Sequence, residues 1–124
     1  MGDVNHFGDF LKNMRLRLGL SLRDFCVRNG LDPGNYSRLE RGRFRPPESR
    51  EQLEKYARAL ELEPGSDEWL EMFDLAAAQR GVFPEDLLAD EDVVSKLPVL
   101  FRTLRANQVS SEKLDEFIEK IRRS

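Results

Sequence analysis

Apolar residues recur at helical spacing in several separate segments of the chain. The first segment runs from Phe7 to Leu18 and is closed by Gly19, and two others cover residues 53–60 and 69–77. Side chains three or four positions apart form one apolar stripe on a helix, and glycine commonly marks the helix end. The pattern predicts amphipathic helices in all three segments.

Between the first two segments, residues 21–42 predict two short helices joined by a tight turn. Ser21 can cap the first helix, which Asn29-Gly30 then ends. Asp32-Pro33 can start the second helix, because the missing N–H of proline costs nothing at the first helical position, and Gly42 ends it. Helices this short are unstable alone in water. A surrounding bundle must therefore hold them and leave one face free.

The two faces of the second helix differ in chemistry. Leu31, Tyr36 and Leu39 recur at roughly helical spacing and are expected to point inward, together with Phe25 and Cys26 of the preceding helix. Small and basic residues occupy the opposite face and the loop that follows: Gly34, Asn35, Ser37, Arg38, Arg41, Arg43 and Arg45. A narrow helix of this kind suits the major groove of DNA, where its first turn reaches base edges and its cations reach phosphates.

The same stretch resembles a known family. Its sequence, GLSLRDFCVRNGLDPGNYSRLERG, is similar to the helix-turn-helix of the phage-repressor-like (Cro/CI, XRE) family of bacterial DNA-binding proteins. The matching parts are GLS before the first motif helix, the Gly30-Leu31 turn and the closing SRLERG. The resemblance covers about half of the chain. It implies a five-helix, lambda-repressor-like bundle over residues 1–81 in an all-α protein. Residues 82–124 exceed the minimal family module and are predicted to form a C-terminal helical extension.

The resemblance also implies roles for particular residues. Arg15 and Glu40 stand where the family has an arginine–glutamate pair that ties the first helix to the recognition helix. Arg38 stands at a base-reading position, and Arg41 stands at one that usually contacts phosphate. Further cations are expected to attract phosphates: Arg23, Arg43 and Arg45.

Three positions depart from the family pattern. Leu22 replaces a glutamine that often clamps a phosphate, and Pro33 and Gly34 replace polar base readers at the start of the recognition helix. Base readout is therefore left to three residues: Asn35, Ser37 and Arg38. These departures leave generic DNA binding in place.

Charge is distributed unevenly along the chain. The net charge is −3, but residues 1–47 carry +4 and residues 48–124 carry −7. The cations therefore cluster around the predicted motif, while the acids are expected to face solvent or a partner protein. The alternative interpretation is that both halves simply carry solvated faces.

The residues after the predicted bundle form further apolar segments. The pattern predicts short helical turns over residues 83–88 and 90–96, and a helix that starts at Pro98. A last helix, capped by Ser110, carries four apolar residues at helical spacing: Leu114, Phe117, Ile118 and Ile121. This stripe is expected to fold back on the bundle, to pair with its copy in a dimer, or to dock on another protein.

Other classes of function lack support in the sequence. The single cysteine, Cys26, excludes an internal disulfide and a cysteine-rich zinc site, and it is expected to serve helix packing. His6 is expected to be a surface residue. No phosphate-binding loop, metal-ligand spacing or nucleophile–base arrangement is present, so neither an enzyme nor a cofactor is expected. No membrane span or signal peptide is predicted, which indicates a cytoplasmic protein.

Three hypotheses for function remain. The first is a repressor-like transcriptional regulator that binds double-stranded DNA as a homodimer through residues 21–42. The second is an antitoxin that binds its own operator and also a protein toxin, through the acidic C-terminal half. The third is an adaptor that keeps the helix-turn-helix without binding DNA. Five arginines between residues 38 and 50 argue against the adaptor.

Overall fold

A computed structural model describes residues 6–123, and every regular element in that range is an α-helix. The prediction of an all-α protein is thus confirmed. The helices of the described range are α1 (His6–Arg17), α2 (Leu22–Asn29), α3 (Pro33–Glu40), α4 (Arg50–Ala59), α5 (Asp67–Arg80), α6 (Glu85–Leu88), α7 (Glu91–Asn107) and α8 (Ser111–Arg122). Within residues 6–123, no helix has both the length and the apolar character that crossing a bilayer requires.

The chain divides into two compact units, of which the first ends at Pro84 and the second begins at Glu85. In the first unit α1 packs against α3 and α5, α2 packs against α3, and α4 packs against α5. These five helices enclose one hydrophobic core, formed mainly by Phe7, Phe10, Leu11, Phe25, Cys26, Tyr36, Leu39, Leu53, Tyr56, Ala57, Leu60, Leu62, Trp69, Met72 and Ala76. The predicted five-helix bundle is therefore present.

Hydroxyl and carboxylate side chains cap the starts of four helices in this bundle. Ser21, Asp32, Ser49 and Ser66 each accept a hydrogen bond from the backbone N–H three residues further on. Such a cap satisfies one of the N–H donors that a helix N-terminus leaves unpaired. Each cap contributes about 1 kcal/mol to the stability of the protein. Local chemistry thus fixes where these helices begin.

The interpretation of Cys26 as a packing residue is confirmed, and Trp69 also packs in the core. Cys26 is fully buried in the core, and this burial raises the pKa of its thiol. Trp69 is also buried, and its ring stacks on Phe73 with 5.5 Å between the ring centroids. Both side chains are used to hold the bundle together.

Tyr36, on the inner face of α3, lies at the centre of an aromatic cluster. Its ring centroid is 5.1 Å from that of Phe25 and 5.7 Å from that of Tyr56. Among the described residues, its buried hydroxyl group has no hydrogen-bond partner. Burial also raises the pKa of Tyr36, because the phenolate would be poorly solvated there.

We expect Tyr36→Phe to raise the free energy of unfolding by about 1 kcal/mol, because it removes a buried polar group that makes no hydrogen bond. The gain should grow above pH ~10, where Tyr36 ionises in the unfolded wild-type chain but stays protonated in the folded one. Stability of the wild type then falls as the pH rises, and the variant escapes this loss. Urea denaturation at pH 7 and pH 11 measures both effects.

Tyr56→Phe is the matched control, because the hydroxyl oxygen of Tyr56 accepts a hydrogen bond of 3.0 Å from Gln52 Nε2. Removing that hydroxyl group should leave stability unchanged or lower it. A Tyr36→Phe protein that is less stable than the wild type would contradict the structure around Tyr36.

The second unit contains α6, α7 and α8, and α6 packs against α7. None of the residues of these three helices is buried. The least exposed apolar residues of α7 recur every three or four positions along one side: Val93, Leu97, Leu100 and Leu104. This unit therefore has a half-covered apolar stripe but no enclosed core of its own.

The prediction that a helix starts at Pro98 is wrong, because α7 runs without a break from Glu91 to Asn107. Its start is fixed by Asp90, whose carboxylate accepts hydrogen bonds from the backbone N–H groups of Asp92 and Val93. The half-covered stripe continues past the proline, which itself is exposed on another side of the helix. Water can reach the carbonyl group that proline leaves without a donor there, so the helix tolerates the ring.

Helix α8 begins after Ser110, whose side chain accepts a hydrogen bond from the N–H of Lys113, as the sequence predicts. Its four apolar residues are exposed, with fractions that range from 38% for Leu114 to 56% for Ile121. Phe117 and Ile118 lie between these values. An exposed apolar stripe on a short helix is a surface that favours contact with another protein surface.

Candidate nucleic-acid interface

The interface is built on a helix-turn-helix formed by α2 and α3. Helix α2 ends at Gly30, which has a φ of 66°, and the N–H of Leu31 then donates to the carbonyl of Cys26 at 2.8 Å. This hydrogen-bond pattern closes a helix through a left-handed residue, a conformation that glycine adopts without strain. The turn leads directly into Asp32, whose Oδ2 accepts from the N–H of Asn35 at 2.8 Å.

Packing of its inner side fixes the rotation of α3. Tyr36 and Leu39 are buried in the core of the bundle. Because residues three apart lie on one side of a helix, burying these two turns the opposite side toward solvent. Helix α3 therefore presents a defined outer face.

A buried ion pair also holds the last turn of α3. Arg15 Nε and Nη2 donate to the two carboxylate oxygens of Glu40 at 2.7 and 2.9 Å, and Arg15 Nη1 donates to the carbonyl of Leu20 at 2.8 Å. Both side chains are buried, and the hydrogen bonds that Arg15 donates to Glu40 raise the pKa of Arg15. The pair joins α1 to α3 across the interior, so it locks α3 to the bundle.

The outer face contains the residues predicted from the sequence to read bases. Gly34, Asn35 and Arg38 are exposed, and Ser37 is half-buried. Arg38 Nη1 donates to Asn35 Oδ1 at 3.3 Å, so these two side chains lie together at the first turn of α3. They provide amide and guanidinium donors, which are the groups that recognise adenine and guanine edges in the major groove.

Gly34 provides the space in which Arg38 lies. A Cβ atom added at Gly34 would be 3.7 Å from Arg38 Nη1 and 3.3 Å from Asp32 Oδ2. The guanidinium group of Arg38 thus folds back along the helix toward its N-terminus. The absence of a side chain at Gly34 also lets the backbone approach a base pair closely.

The predicted phosphate-contacting arginines fall into two groups. Arg23, Arg41 and Arg43 are exposed, and Arg41 Nε makes only a long hydrogen bond of 3.4 Å to the carbonyl of Ser37. Arg45 is exposed as well, but its Nη2 donates to the carbonyl of Arg80 at 3.3 Å, at the end of α5. Arg45 therefore also links the loop after α3 to another helix of the bundle.

Phe44 is a residue of this surface that the sequence analysis missed. It lies in the loop between Arg43 and Arg45, its side chain is 42% exposed, and the guanidinium carbon of Arg38 lies 5.6 Å from its ring centroid. This separation is within the range of a cation–π interaction. An aromatic residue between two arginines directly after the recognition helix is the sequence signal that could have identified it.

The remaining predicted surface, formed by Leu114, Phe117, Ile118 and Ile121, belongs to α8 in the second unit.

His6 is exposed at the start of α1. Within residues 6–123, histidine, cysteine and carboxylate side chains do not gather into a group that could hold a metal ion. The outer face of α3 and the loop that follows it thus offer hydrogen-bond donors and cations.

Comparison with known proteins agrees with this geometry. A family model described as a helix-turn-helix domain matches residues 6–69, which include α1 to α4 and the start of α5. No curated protein and no solved structure matches the chain. The matched segment is just over half of the chain and contains the whole outer face of α3. The chain belongs to this helix-turn-helix domain family, which is typical of the Cro- and XRE-like bacterial regulators that bind DNA.

Proposed function

We propose that the protein is a sequence-specific transcriptional regulator of the repressor type, acting in the cytoplasm on double-stranded DNA. The observation that carries this proposal is the outer face of α3, where Asn35 and Arg38 are exposed while Tyr36, Leu39 and Glu40 are buried. A rigidly held helix with free donors on its outer face is suited to reading a groove.

Within this proposal some of the exposed side chains contact bases and others contact phosphates. Arg38 donates to a base edge of guanine, and Asn35 and Ser37 contact the neighbouring bases or phosphates. Arg41, Arg43 and Arg23 attract phosphates, which supplies affinity without sequence information. Arg45 adds to this attraction from its position near the end of α5. The opposing charge of residues 48–124 limits non-specific attraction, because that half carries −7.

A selection experiment tests the proposal directly. The purified protein is mixed with a pool of random double-stranded DNA, and the retained fragments are sequenced over several rounds. We expect one short sequence to be enriched. Recovery of DNA without any common sequence would contradict sequence-specific regulation. Recovery of no DNA at all would favour the adaptor hypothesis instead.

The Arg43→Ala variant is expected to weaken binding to the selected sequence and to random DNA by the same factor, because Arg43 contacts phosphate. The slope of log affinity against log salt concentration should flatten by about one unit. Gel-shift titrations at several salt concentrations measure this slope for both DNAs.

Arg58→Ala is the matched control for Arg43→Ala. It removes one exposed arginine from the last turn of α4, at the end of that helix remote from the α3–α4 loop. The control slope should equal that of the wild type. A normal slope for Arg43→Ala, or a loss confined to the selected sequence, would exclude Arg43 from phosphate binding.

We also propose that the regulator binds as a homodimer through α8. The exposed stripe of Leu114, Phe117, Ile118 and Ile121 supports this, since the second unit buries none of the residues of its helices. A twofold dimer would select a palindrome with half-sites about 34 Å apart. Light scattering should give twice the chain mass of 14.4 kDa, and Ile118→Glu should halve it. A wild-type monomer would contradict the dimer.

An antitoxin remains the second candidate, supported by the exposed acids of the bundle. Residues 48–84 hold nine Asp and Glu against four Lys and Arg, whereas residues 85–124 hold nine against seven. The acidic excess therefore lies mostly on α4, α5 and their connections, and a basic toxin would dock there. Co-purification of the full chain with a small basic protein encoded beside it would favour this candidate. If the two proteins do not associate, the antitoxin hypothesis fails and the transcriptional regulator remains the proposed function.

A further inference from the structure

We infer that Phe44 is a positioning residue that sets base selectivity by holding Arg38 in its reading conformation. This inference rests on the proposed function, because it specifies how the same surface discriminates between sequences. It starts from the contact between Arg38 and the ring of Phe44, at 5.6 Å between the guanidinium carbon and the ring centroid.

The backbone at the end of α3 places Phe44 beside Arg38. Gly42 has a φ of 76° and its N–H donates to the carbonyl of Leu39 at 3.1 Å, while the N–H of Arg43 donates to the carbonyl of Arg38 at 2.8 Å. This left-handed closure turns the chain back over the last turn of the helix. The N–H of Phe44 lies 3.4 Å from the same Arg38 carbonyl oxygen, so the loop is tied to the residue it positions.

Arg38 is held from two sides. The Phe44 ring lies against the guanidinium group, and Asn35 Oδ1 accepts a hydrogen bond from Nη1 at 3.3 Å. Gly34 leaves the space that this conformation needs. Arginine is a side chain with many rotamers, and fixing it before binding reduces the conformational entropy that binding would otherwise cost. Arg38 is exposed in this conformation, so its other donors can reach a base edge.

Two features separate this role from core packing. Phe44 is 42% exposed and does not belong to the hydrophobic core of the bundle. Replacing its ring should therefore change the mobility of Arg38 more than it changes the stability of the fold. The ring carries no charge, so its loss should not alter the salt dependence of binding.

A double-mutant cycle with Phe44→Leu and Arg38→Ala tests the inference. The measured quantity is the ratio of affinities for the selected DNA and for random DNA. We expect Phe44→Leu to lower this ratio about two- to fivefold, the value of an exposed cation–π contact. It should have no effect in the Arg38→Ala background. Phe44→Trp keeps an aromatic face and should give the ratio of the wild type. Thermal denaturation of both Phe44 variants should give midpoints close to that of the wild type.

An equal loss from Phe44→Leu in both backgrounds would overturn the inference, since Phe44 would then contact the DNA itself. An unchanged ratio in Phe44→Leu would overturn it as well. If the wild type binds the selected DNA no better than random DNA, the proposed function fails instead. A measurement without DNA still decides whether Phe44 positions Arg38. The Arg38 side-chain protons of the free protein should shift upfield in the wild type and in Phe44→Trp through the ring current, and lose that shift in Phe44→Leu.

Discussion

Removing one partner of the Arg15–Glu40 pair is expected to lower the free energy of unfolding by about 3–5 kcal/mol. Arg15→Met removes the two guanidinium donors to the buried Glu40 carboxylate, and Glu40→Leu removes the carboxylate oxygens that accept from Arg15 Nε and Nη2. The cost arises because breaking the ion pair leaves a charged group in the interior without its opposite charge. Urea denaturation of the two variants measures it.

The double variant Arg15→Met/Glu40→Leu should recover most of this loss, because no uncompensated charge then remains in the interior. Arg17→Ala breaks the exposed pair with Glu68 and serves as the control, with a much smaller expected effect. Single variants as stable as this control would contradict the structural role of the Arg15–Glu40 pair. Losses that simply add in the double variant would contradict it too.

The second large effect is expected for Arg38→Ala. If Arg38 makes a bidentate contact with guanine, its removal should cost about 1–3 kcal/mol at the selected sequence, or about 5- to 150-fold in affinity. Affinity for random DNA should change far less. The cause is geometric, because Arg38 is exposed on the outer face of α3 and a guanidinium group can offer two parallel donors to guanine. Gel-shift titrations with both DNAs measure the difference.

Arg38→Lys is the matched variant for this test, since it keeps the positive charge and loses the planar pair of donors. It should bind random DNA as the wild type does and still lose discrimination. Full discrimination in both Arg38 variants would remove Arg38 from base reading. Equal losses on both DNAs would instead assign Arg38 to phosphate contact.

Local signals in the sequence were sufficient to predict several helix ends in the bundle, whereas the five-helix arrangement was implied by the family resemblance. Ser21 and Asp32 cap helices where the sequence predicts helix starts, and Gly30 and Gly42 adopt the positive φ angles that the predicted stops require. Each of these signals acts within one turn of the chain. Such signals are readable because the hydrogen bonds they form are local.

Prediction failed where a local rule competed with a longer pattern. Pro98 indicates a helix start on local grounds, but the half-covered stripe of α7 extends on both sides of it. The cap at Asp90 and this stripe outweigh the one hydrogen bond that proline removes. A helix boundary placed at a proline is therefore reliable only when the apolar pattern also stops there.

Contacts between distant residues made parts of the candidate site unpredictable. Arg45 donates to the carbonyl of Arg80, which lies 35 positions further along the chain. The stacking of Arg38 on Phe44 depends on the turn at Gly42, whose path follows only from the coordinates. Periodicity identifies which face of α3 is outward, but it does not show which loop residues return to that face.

Amide chemical-shift mapping is the measurement that tests DNA recognition by α3 most directly. A ¹⁵N-labelled sample is titrated with a short duplex that carries the selected sequence, and shifts are followed residue by residue. We predict that the largest shifts fall on residues 33–45 and on Arg23, while the inner residues of the bundle change little. Shifts that are absent from α3, or that are confined to residues 85–123, would contradict the assignment of the outer face of α3 as the DNA-binding surface.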